Sequence, residues 1–211
     1  MSVLDIDKLM SNQSEDKILI KEFIMKNYYT DDWGRLNIQH VNGEYIVDFD
    51  WSLHYIGTGS QQLTNGLFRF GKVFTFNCAY CKELTSLEGG PAECDWFVCN
   101  YCDGLTSLKG APRKCRKFYC SNCANLTSLD GGPEECRIFY CDYCGNLISL
   151  QGSPEECESF NCLGCANLTS LKGAPRKCIT FDCSCCENLT SLEGASQDYV
   201  LFYHINCTGL K

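Results

Sequence analysis

Cysteine recurs in this chain at a fixed interval of 21 residues, and that interval constrains the fold more than any other feature. The repeating unit is C-x-x-F-x-C-x-x-C-x-x-L-T-S-L-x-G-x-P-x-x, with cysteines at its positions 1, 6 and 9. A fixed period of this length is typical of a solenoid, because each repeat can bury its apolar face only against its neighbours. Three columns hold seventeen of the nineteen cysteines: Cys94, Cys115, Cys136, Cys157 and Cys178; Cys78, Cys99, Cys120, Cys141, Cys162 and Cys183; Cys81, Cys102, Cys123, Cys144, Cys165 and Cys186.

The unit fits the leucine-rich-repeat template when Cys replaces Leu at positions 1 and 6 and fills the Asn/Cys position at 9. The period also lies within the roughly 20 to 29 residues of that class. The sequence therefore predicts a β-solenoid of the leucine-rich-repeat type, with short parallel strands in about six to seven coils of 21 residues and an α+β N-terminal cap. The interior of one coil would be formed by Cys94, Phe97, Cys99, Cys102, Leu105 and Leu108.

The N-terminal part of the chain, residues 1–72, departs from the repeat. Helical spacing of Ile20, Phe23 and Ile24 predicts a helical segment of one or two short helices. Alternation of apolar and polar residues around an Asn-Gly dipeptide at residues 42 and 43 predicts a β-hairpin. We expect this segment to be a cap that covers the open edge of the sheet.

The remaining residues divide into a solenoid over residues 73–198 and a truncated C-terminal capping repeat over residues 199–211. Atypical terminal repeats are expected, since the last coil of a solenoid has no neighbour on one side. The capping repeat keeps the spacing of positions 1, 4, 6, 9 and 12 with Tyr199, Phe202, His204, Cys207 and Leu210.

The motifs LTSLEGGP, LTSLKGAP, LTSLDGGP and FRFGKVFTFNC are similar to those of leucine-rich-repeat-like proteins of tailed bacteriophages and prophages. The repeats of that family have roughly the form F-x-C-x-x-C-x-x-L-T-S-L-x-G-x-P, and the resemblance covers about residues 45 to 211. Relatives usually carry Val and a Gly pair where this chain has its column of cysteines at position 1. The resemblance implies the solenoid fold and a bacteriophage origin, and it supplies no catalytic residue to carry over.

Composition and motifs restrict the functions to be considered. With 18 basic and 26 acidic side chains, the net charge is −8, which predicts neither nucleic acid nor a membrane as partner. The N-terminus has no basic and apolar leader, so we expect reduced thiols in a cytoplasmic protein, in the host cell if a phage encodes it. The sequence has no nucleophile elbow, phosphate loop or H-E-x-x-H motif, which predicts a protein that is not an enzyme.

Aromatic side chains predict the binding surface. In a leucine-rich coil, positions 3, 5, 7 and 8 face outward from the concave sheet, and there the first four coils carry one Trp and five Tyr. Such residues anchor protein interfaces, although Tyr is also simply a favourable strand residue. We expect a noncatalytic module that binds a protein partner, a host protein if the bacteriophage resemblance holds, through Tyr80, Trp96, Tyr101, Lys117, Tyr119, Tyr140 and Tyr143.

The cysteines leave three interpretations open. The first is a core of free thiols without cofactor, because unpaired Cys packs as a small buried hydrophobe. The second is a metal-binding or redox protein that holds Zn²⁺, Cu(I) or an iron-sulfur cluster through some of Cys94, Cys99, Cys102, Cys183, Cys186, His204 and Cys207. The third is disulfide bonding between neighbouring coils, which in-register side chains that point in parallel disfavour. Cys185, at the outward position 8, is the most exposed candidate for a reactive thiol.

Overall fold

The computed structural model describes residues 15–56, 63, 64 and 66–210, and these form one helix and a single sheet of ten strands. The sheet order is β1-β3-β4-β5-β6-β7-β8-β9-β10, and β2 pairs with β3. The helix α1 spans Glu15–Asn27, and a short 3-10 helix spans Trp33–Arg35. The strands are β1 Tyr28–Tyr29, β2 Leu36–Val41, β3 Glu44–Tyr55, β4 Phe68–Asn77, β5 Glu93–Val98, β6 Lys114–Tyr119, β7 Glu135–Tyr140, β8 Glu156–Asn161, β9 Lys177–Asp182 and β10 Leu201–Tyr203.

The predicted hairpin is confirmed: β2 and β3 are antiparallel and meet at a turn made by Asn42 and Gly43. Both turn residues have positive φ, 52° and 86°, which is the geometry that fits the right-handed twist of the flanking strands. β3 then pairs in parallel with β4, so the cap continues the sheet of the solenoid. β4 crosses the boundary predicted after residue 72 without interruption.

The helical segment is confirmed over residues 15–27, and the predicted helical residues before Glu15 lie outside the described part of the chain. Ile20 and Ile24, one turn apart, are fully buried, and Phe23 packs edge-on against Phe68 of β4 with ring centroids 6.1 Å apart. The helical spacing of apolar residues therefore marked the face of α1 that packs on the sheet.

β4 to β10 form a parallel β-solenoid of about seven coils, each strand lying 21 residues after the one it pairs with. One phenylalanine of each of the first six coils is fully buried, and these rings stack with centroids 5.2 or 5.3 Å apart. Offset stacks of this kind stabilise more than the burial of their area alone. The column consists of Phe76, Phe97, Phe118, Phe139, Phe160 and Phe181.

The C-terminal coil follows the predicted spacing, with Phe202 of β10 in register with Phe181. The phenylalanine stack, however, is continued by Tyr199, whose ring lies 4.8 Å from that of Phe181 and nearly parallel to it. Phe202 packs edge-on against both rings. The Tyr199 hydroxyl donates a hydrogen bond to the Pro175 carbonyl over 2.7 Å, which satisfies its polar end while the ring closes the core.

Exposed ion pairs join successive coils at the ends of the strands. Lys114 pairs with Glu135 over 2.7 Å, and Lys177 pairs with Glu156 over 2.8 Å. All members of these pairs lie open to solvent, so each contributes little to stability, but opposite charges favour the observed register over a shifted one. These ion pairs are thus contacts between successive coils.

Each coil turns away from the sheet at a glycine that no other residue can replace without strain. At Gly152, φ is +95°, and a Cβ atom would lie 2.1 Å from the Leu129 carbonyl oxygen of the preceding coil. Glycine is required there for two reasons: the left-handed backbone disfavours a side chain, and the neighbouring coil leaves no room for one. Gly145 in the same coil has neither constraint, since a Cβ atom added there would have no neighbouring atom within 4 Å.

We expect Gly152→Ala to lower the free energy of unfolding by at least about 2 kcal/mol, from the left-handed backbone and the contact with Leu129 together. Gly145→Ala, the matched control, should change it by no more than about 1 kcal/mol and in the stabilising direction. Urea unfolding followed by circular dichroism measures both values. Equal effects of the two substitutions would contradict the close packing of successive coils at Gly152.

Candidate functional site

The outer face of the sheet and the turn after each strand expose large aromatic side chains. Tyr80, Trp96, Tyr101 and Tyr143 are exposed by 70%, 38%, 40% and 56% respectively. They lie in the first, second and fourth coils, where the sequence predicted a binding surface. Trp96 lies on β5, where positions 1, 4 and 6 of the coil point into the core, and the three tyrosines lie in the turns that follow β4, β5 and β7.

Contacts within columns hold these aromatic side chains in place. The rings of Tyr80 and Tyr101 stack at 4.7 Å and within 5° of parallel. The ammonium group of Lys117 lies 4.1 Å from the centre of the Trp96 ring, a cation-π contact. Because the rings of Tyr80 and Trp96 each contact the side chain 21 residues further on, this part of the surface is organised as columns that cross the strands.

Tyr119 and Tyr140 form a third column, and they are more buried than the sequence predicted. Their rings lie 5.4 Å apart, and the hydroxyl groups of Ser159 and Tyr140 are 3.4 Å apart. Partial burial, followed by the neighbouring Tyr140, raises the pKa of Tyr119. Of the seven predicted contact residues, Lys117, Tyr119 and Tyr140 are half-buried, so the open part of the surface consists of Tyr80, Trp96, Tyr101 and Tyr143.

A backbone feature of this surface was missed from the sequence: position 8 of every coil is left-handed. Tyr80, Tyr101 and Tyr143 have φ values of 64°, 59° and 57°. Their backbone N–H groups donate to carbonyls of the next coil, for example Tyr101 to Ser121 over 3.0 Å, which holds this conformation. The column also contains Asn122 and Gly164, residue types that favour positive φ and could have identified it.

The thiols at position 9 bind the backbone of the preceding coil. The Sγ atom of Cys144 donates to the Cys120 carbonyl over 3.2 Å, and Cys102 donates to the Cys78 carbonyl over 3.0 Å. The same contact recurs in every coil from the second to the seventh. Cys at this position therefore satisfies a buried carbonyl group that strand pairing does not reach.

All nineteen cysteines are free thiols, and most are buried. Burial raises the pKa of Cys81 to about 12, which keeps its thiol protonated at neutral pH. Cys185, predicted to face outward, is half-buried and left-handed, and Cys157 is the other half-buried thiol. In the column at position 1, thiols contact each other: Cys115 with Cys136 at 3.8 Å and Cys157 with Cys178 at 3.3 Å.

Most of the residues considered as metal ligands are engaged in other contacts. Cys102, Cys183, Cys186 and Cys207 each donate to a backbone carbonyl, and His204 is exposed with its ring against Phe202. Cys94 and Cys99 are buried in two different columns. Over residues 15–56 and 63–210, apart from residue 65, no group of three or more His, Cys, Asp or Glu residues is arranged to hold a metal ion.

Across the part of the chain that the structure describes, no helix combines the length and the apolar character needed to traverse a bilayer. Comparison of the chain with models of protein families, with curated proteins and with solved structures found no match. The surface and the thiol columns are therefore the observations from which a function can be argued.

We expect Cys144→Ala to lower the free energy of unfolding by about 1 to 3 kcal/mol, because the buried Cys120 carbonyl loses its donor. Cys144→Ser should lose less, since a hydroxyl group can still donate to that oxygen. Denaturant unfolding under reducing conditions compares the two variants. A Ser variant that is as unstable as the Ala variant would show that the S–H···O contact does not contribute to stability.

Proposed function

We propose that this protein is a noncatalytic recognition module that binds a protein partner through the outer face of its sheet. The observation that carries the proposal is the set of exposed aromatic side chains, Tyr80, Trp96, Tyr101 and Tyr143. Trp and Tyr dominate the energetics of protein interfaces because they bury large areas and lose little conformational freedom on binding. Exposed residues of these types, on the sheet and in the turns beside it, are suited to binding a protein partner.

The left-handed backbone at position 8 strengthens the proposal. A bulky side chain at positive φ costs about 1 to 2 kcal/mol relative to glycine, and three Tyr side chains accept that cost here. Residues that keep a strained backbone tend to be found where function depends on them. The strain, together with the stacking of Tyr80 on Tyr101, fixes the rings before a partner arrives and so reduces the entropy lost on binding.

Charge restricts the class of partner. The chain has a net charge of −8, which disfavours polyanions such as nucleic acids. Arg116 and Lys117 place two positive charges on β6, and the Lys117 ammonium group already contacts the Trp96 ring. We infer a folded protein partner whose contact area is apolar with some acidic side chains. A bacteriophage origin, which the sequence resemblance implied, would make this a protein of the host cell.

A triple substitution tests the surface without disturbing the fold. Tyr80→Asn, Tyr101→Asn and Tyr143→Asn remove the exposed rings at position 8, where Asn122 and Asn206 already adopt the same left-handed backbone. We expect at least a tenfold loss of affinity for the partner and an unchanged or higher melting temperature. Affinity capture from lysates of candidate host cells, with quantitative mass spectrometry, identifies the partner, and calorimetry with the purified partner gives the affinity.

The matched control is Ile148→Thr, which removes an apolar side chain that is 62% exposed and lies outside the aromatic columns. Thr stands at the same position of the repeat in other coils, for example at residues 127 and 169, so this variant also fits the fold. It should bind the partner as the unchanged protein does. A partner that binds all three proteins equally would place the binding site elsewhere on the molecule.

A further inference from the structure

We propose that Cys157 and Cys178 form a site of oxidative modification, at which a hydroperoxide joins the two thiols in a disulfide bond. The site is independent of the proposed binding surface. Three structural observations support it: the approach of the two sulfur atoms, a break in the alternation of charge beside them, and the access of solvent to one of them.

The two sulfur atoms lie 3.3 Å apart, compared with 3.8 Å for Cys115 and Cys136 in the same column. Cys157 and Cys178 are directly paired residues of β8 and β9. Neighbouring strands are about 4.8 Å apart, a Cα separation that lies within the range of disulfides. The two side chains therefore converge, although in-register side chains were expected to point in parallel, and little movement separates this arrangement from a bond.

The charges beside this column alternate along the solenoid except at one junction. Position 21 carries Lys72, Glu93, Lys114, Glu135, Glu156, Lys177 and Asp198, so Glu135 and Glu156 are neighbours of like charge. From β4 to β7, and between β8 and β9, the paired register reaches these charged residues. The pairing of β7 with β8 begins only at Ile138 and Ser159, and that of the terminal strand β10 with β9 begins at Leu201 and Thr180. The ladder between β7 and β8 is thus incomplete beside Cys157, where carboxylates of like charge face each other, although Arg137 and Glu158 form an ion pair between the same two strands.

Cys157, beside this incomplete ladder, is accessible to solvent. Cys115, Cys136 and Cys178 are only 4% to 5% exposed, whereas Cys157 is half-buried. β8 is paired with β9 along its whole length, so Cys157 keeps its contact with Cys178. On the side towards β7, Cys157 has no partner in the ladder. A small oxidant can enter without unfolding the coil.

The chemical environment divides the roles within the pair. The Cys157 thiol donates a hydrogen bond to the Cys178 Sγ atom over 3.3 Å, and this contact lowers the pKa of Cys178 against the opposing effect of burial. The same contact with Cys178, followed by burial, raises the pKa of Cys157. Cys178 is thus the residue that supplies the thiolate, the form of the side chain that reacts with peroxides.

The reaction takes place in two balanced steps. The Cys178 thiolate attacks one oxygen of hydrogen peroxide, forming an S–O bond as the O–O bond breaks, and the departing hydroxide takes up the thiol proton as water. The Cys157 sulfur then attacks the Cys178 sulfur, forming the S–S bond as the S–O bond breaks, and hydroxide leaves with the Cys157 proton as a second water. In sum, two thiols lose two hydrogen atoms and one peroxide becomes two waters.

The test is treatment of the fully reduced, metal-free protein with one equivalent of hydrogen peroxide, followed by alkylation with N-ethylmaleimide and peptide mass spectrometry. We expect the intact chain to lose the mass of two hydrogen atoms and a peptide to appear in which Cys157 is linked to Cys178. The internal comparison is Cys115 with Cys136, both buried where the register is continuous, which should be linked at least tenfold more slowly.

A second variant separates the two steps. In Cys157→Ser the disulfide cannot form, so Cys178 should stop at sulfenic acid, which dimedone traps as a stable adduct. The proposal is overturned if the unchanged protein leaves both Cys157 and Cys178 open to alkylation after peroxide is consumed. It is equally overturned if Cys115 and Cys136, or any other pair, are linked first.

Discussion

The stacking of identical positions at 21-residue intervals is the constraint on which the rest of the structure depends. Backbone pairing sets neighbouring strands at about 4.8 Å, and the buried phenylalanine rings repeat at 5.2 to 5.3 Å. The two distances are compatible because aromatic rings can stack with a small offset at close to the spacing of the strands. Each residue type is therefore selected largely by how well it packs on a copy of itself. Phe, Leu and Cys do so in the core, whereas Gly152 is required because it packs against the backbone of Leu129 in the preceding coil.

Charged residues do not stack favourably on a copy of themselves. The structure contains junctions between coils with opposite charges and one with like charges. Where Lys114 follows Glu93 and precedes Glu135, opposite charges stack and the strands pair to their ends. Where Glu156 follows Glu135, each carboxylate pairs with a cation on its other side, and the ladder begins only at Ile138 and Ser159. The half-buried thiol of the column at position 1, Cys157, lies beside this junction of like charges.

The sequence predicted the interior well because burial is a property of columns. A position that is apolar in every repeat, such as that of Phe118, must face the core if all coils share one conformation. The hairpin and the helix were likewise local patterns, around Asn42 and around Ile20. Backbone conformation at position 8 was not predicted, because Tyr101 gives no indication of positive φ by itself and only comparison along the column does. The half-burial of Tyr119 depends on neighbouring coils, which a single repeat does not reveal.

The three cysteine columns look equivalent in the sequence, yet their surroundings assign them different chemistry. At position 9 each thiol donates to a carbonyl that strand pairing leaves over, as Cys144 does to Cys120, so the sulfur is held by a structural contact. At position 1 the thiol faces the corresponding thiol of the next coil, as Cys157 faces Cys178, and no backbone contact has to be broken at Cys157 for the sulfur atoms to approach. Cys178 also donates to the Thr180 carbonyl over 2.9 Å, and that contact is lost when its thiol reacts. Because its neighbour is another thiol, the pair gains a covalent bond in exchange for these weak contacts. We therefore expect thiol oxidation in the column at position 1, at Cys157 and Cys178. There the ladder beside Glu156 is incomplete and Cys157 is half-buried.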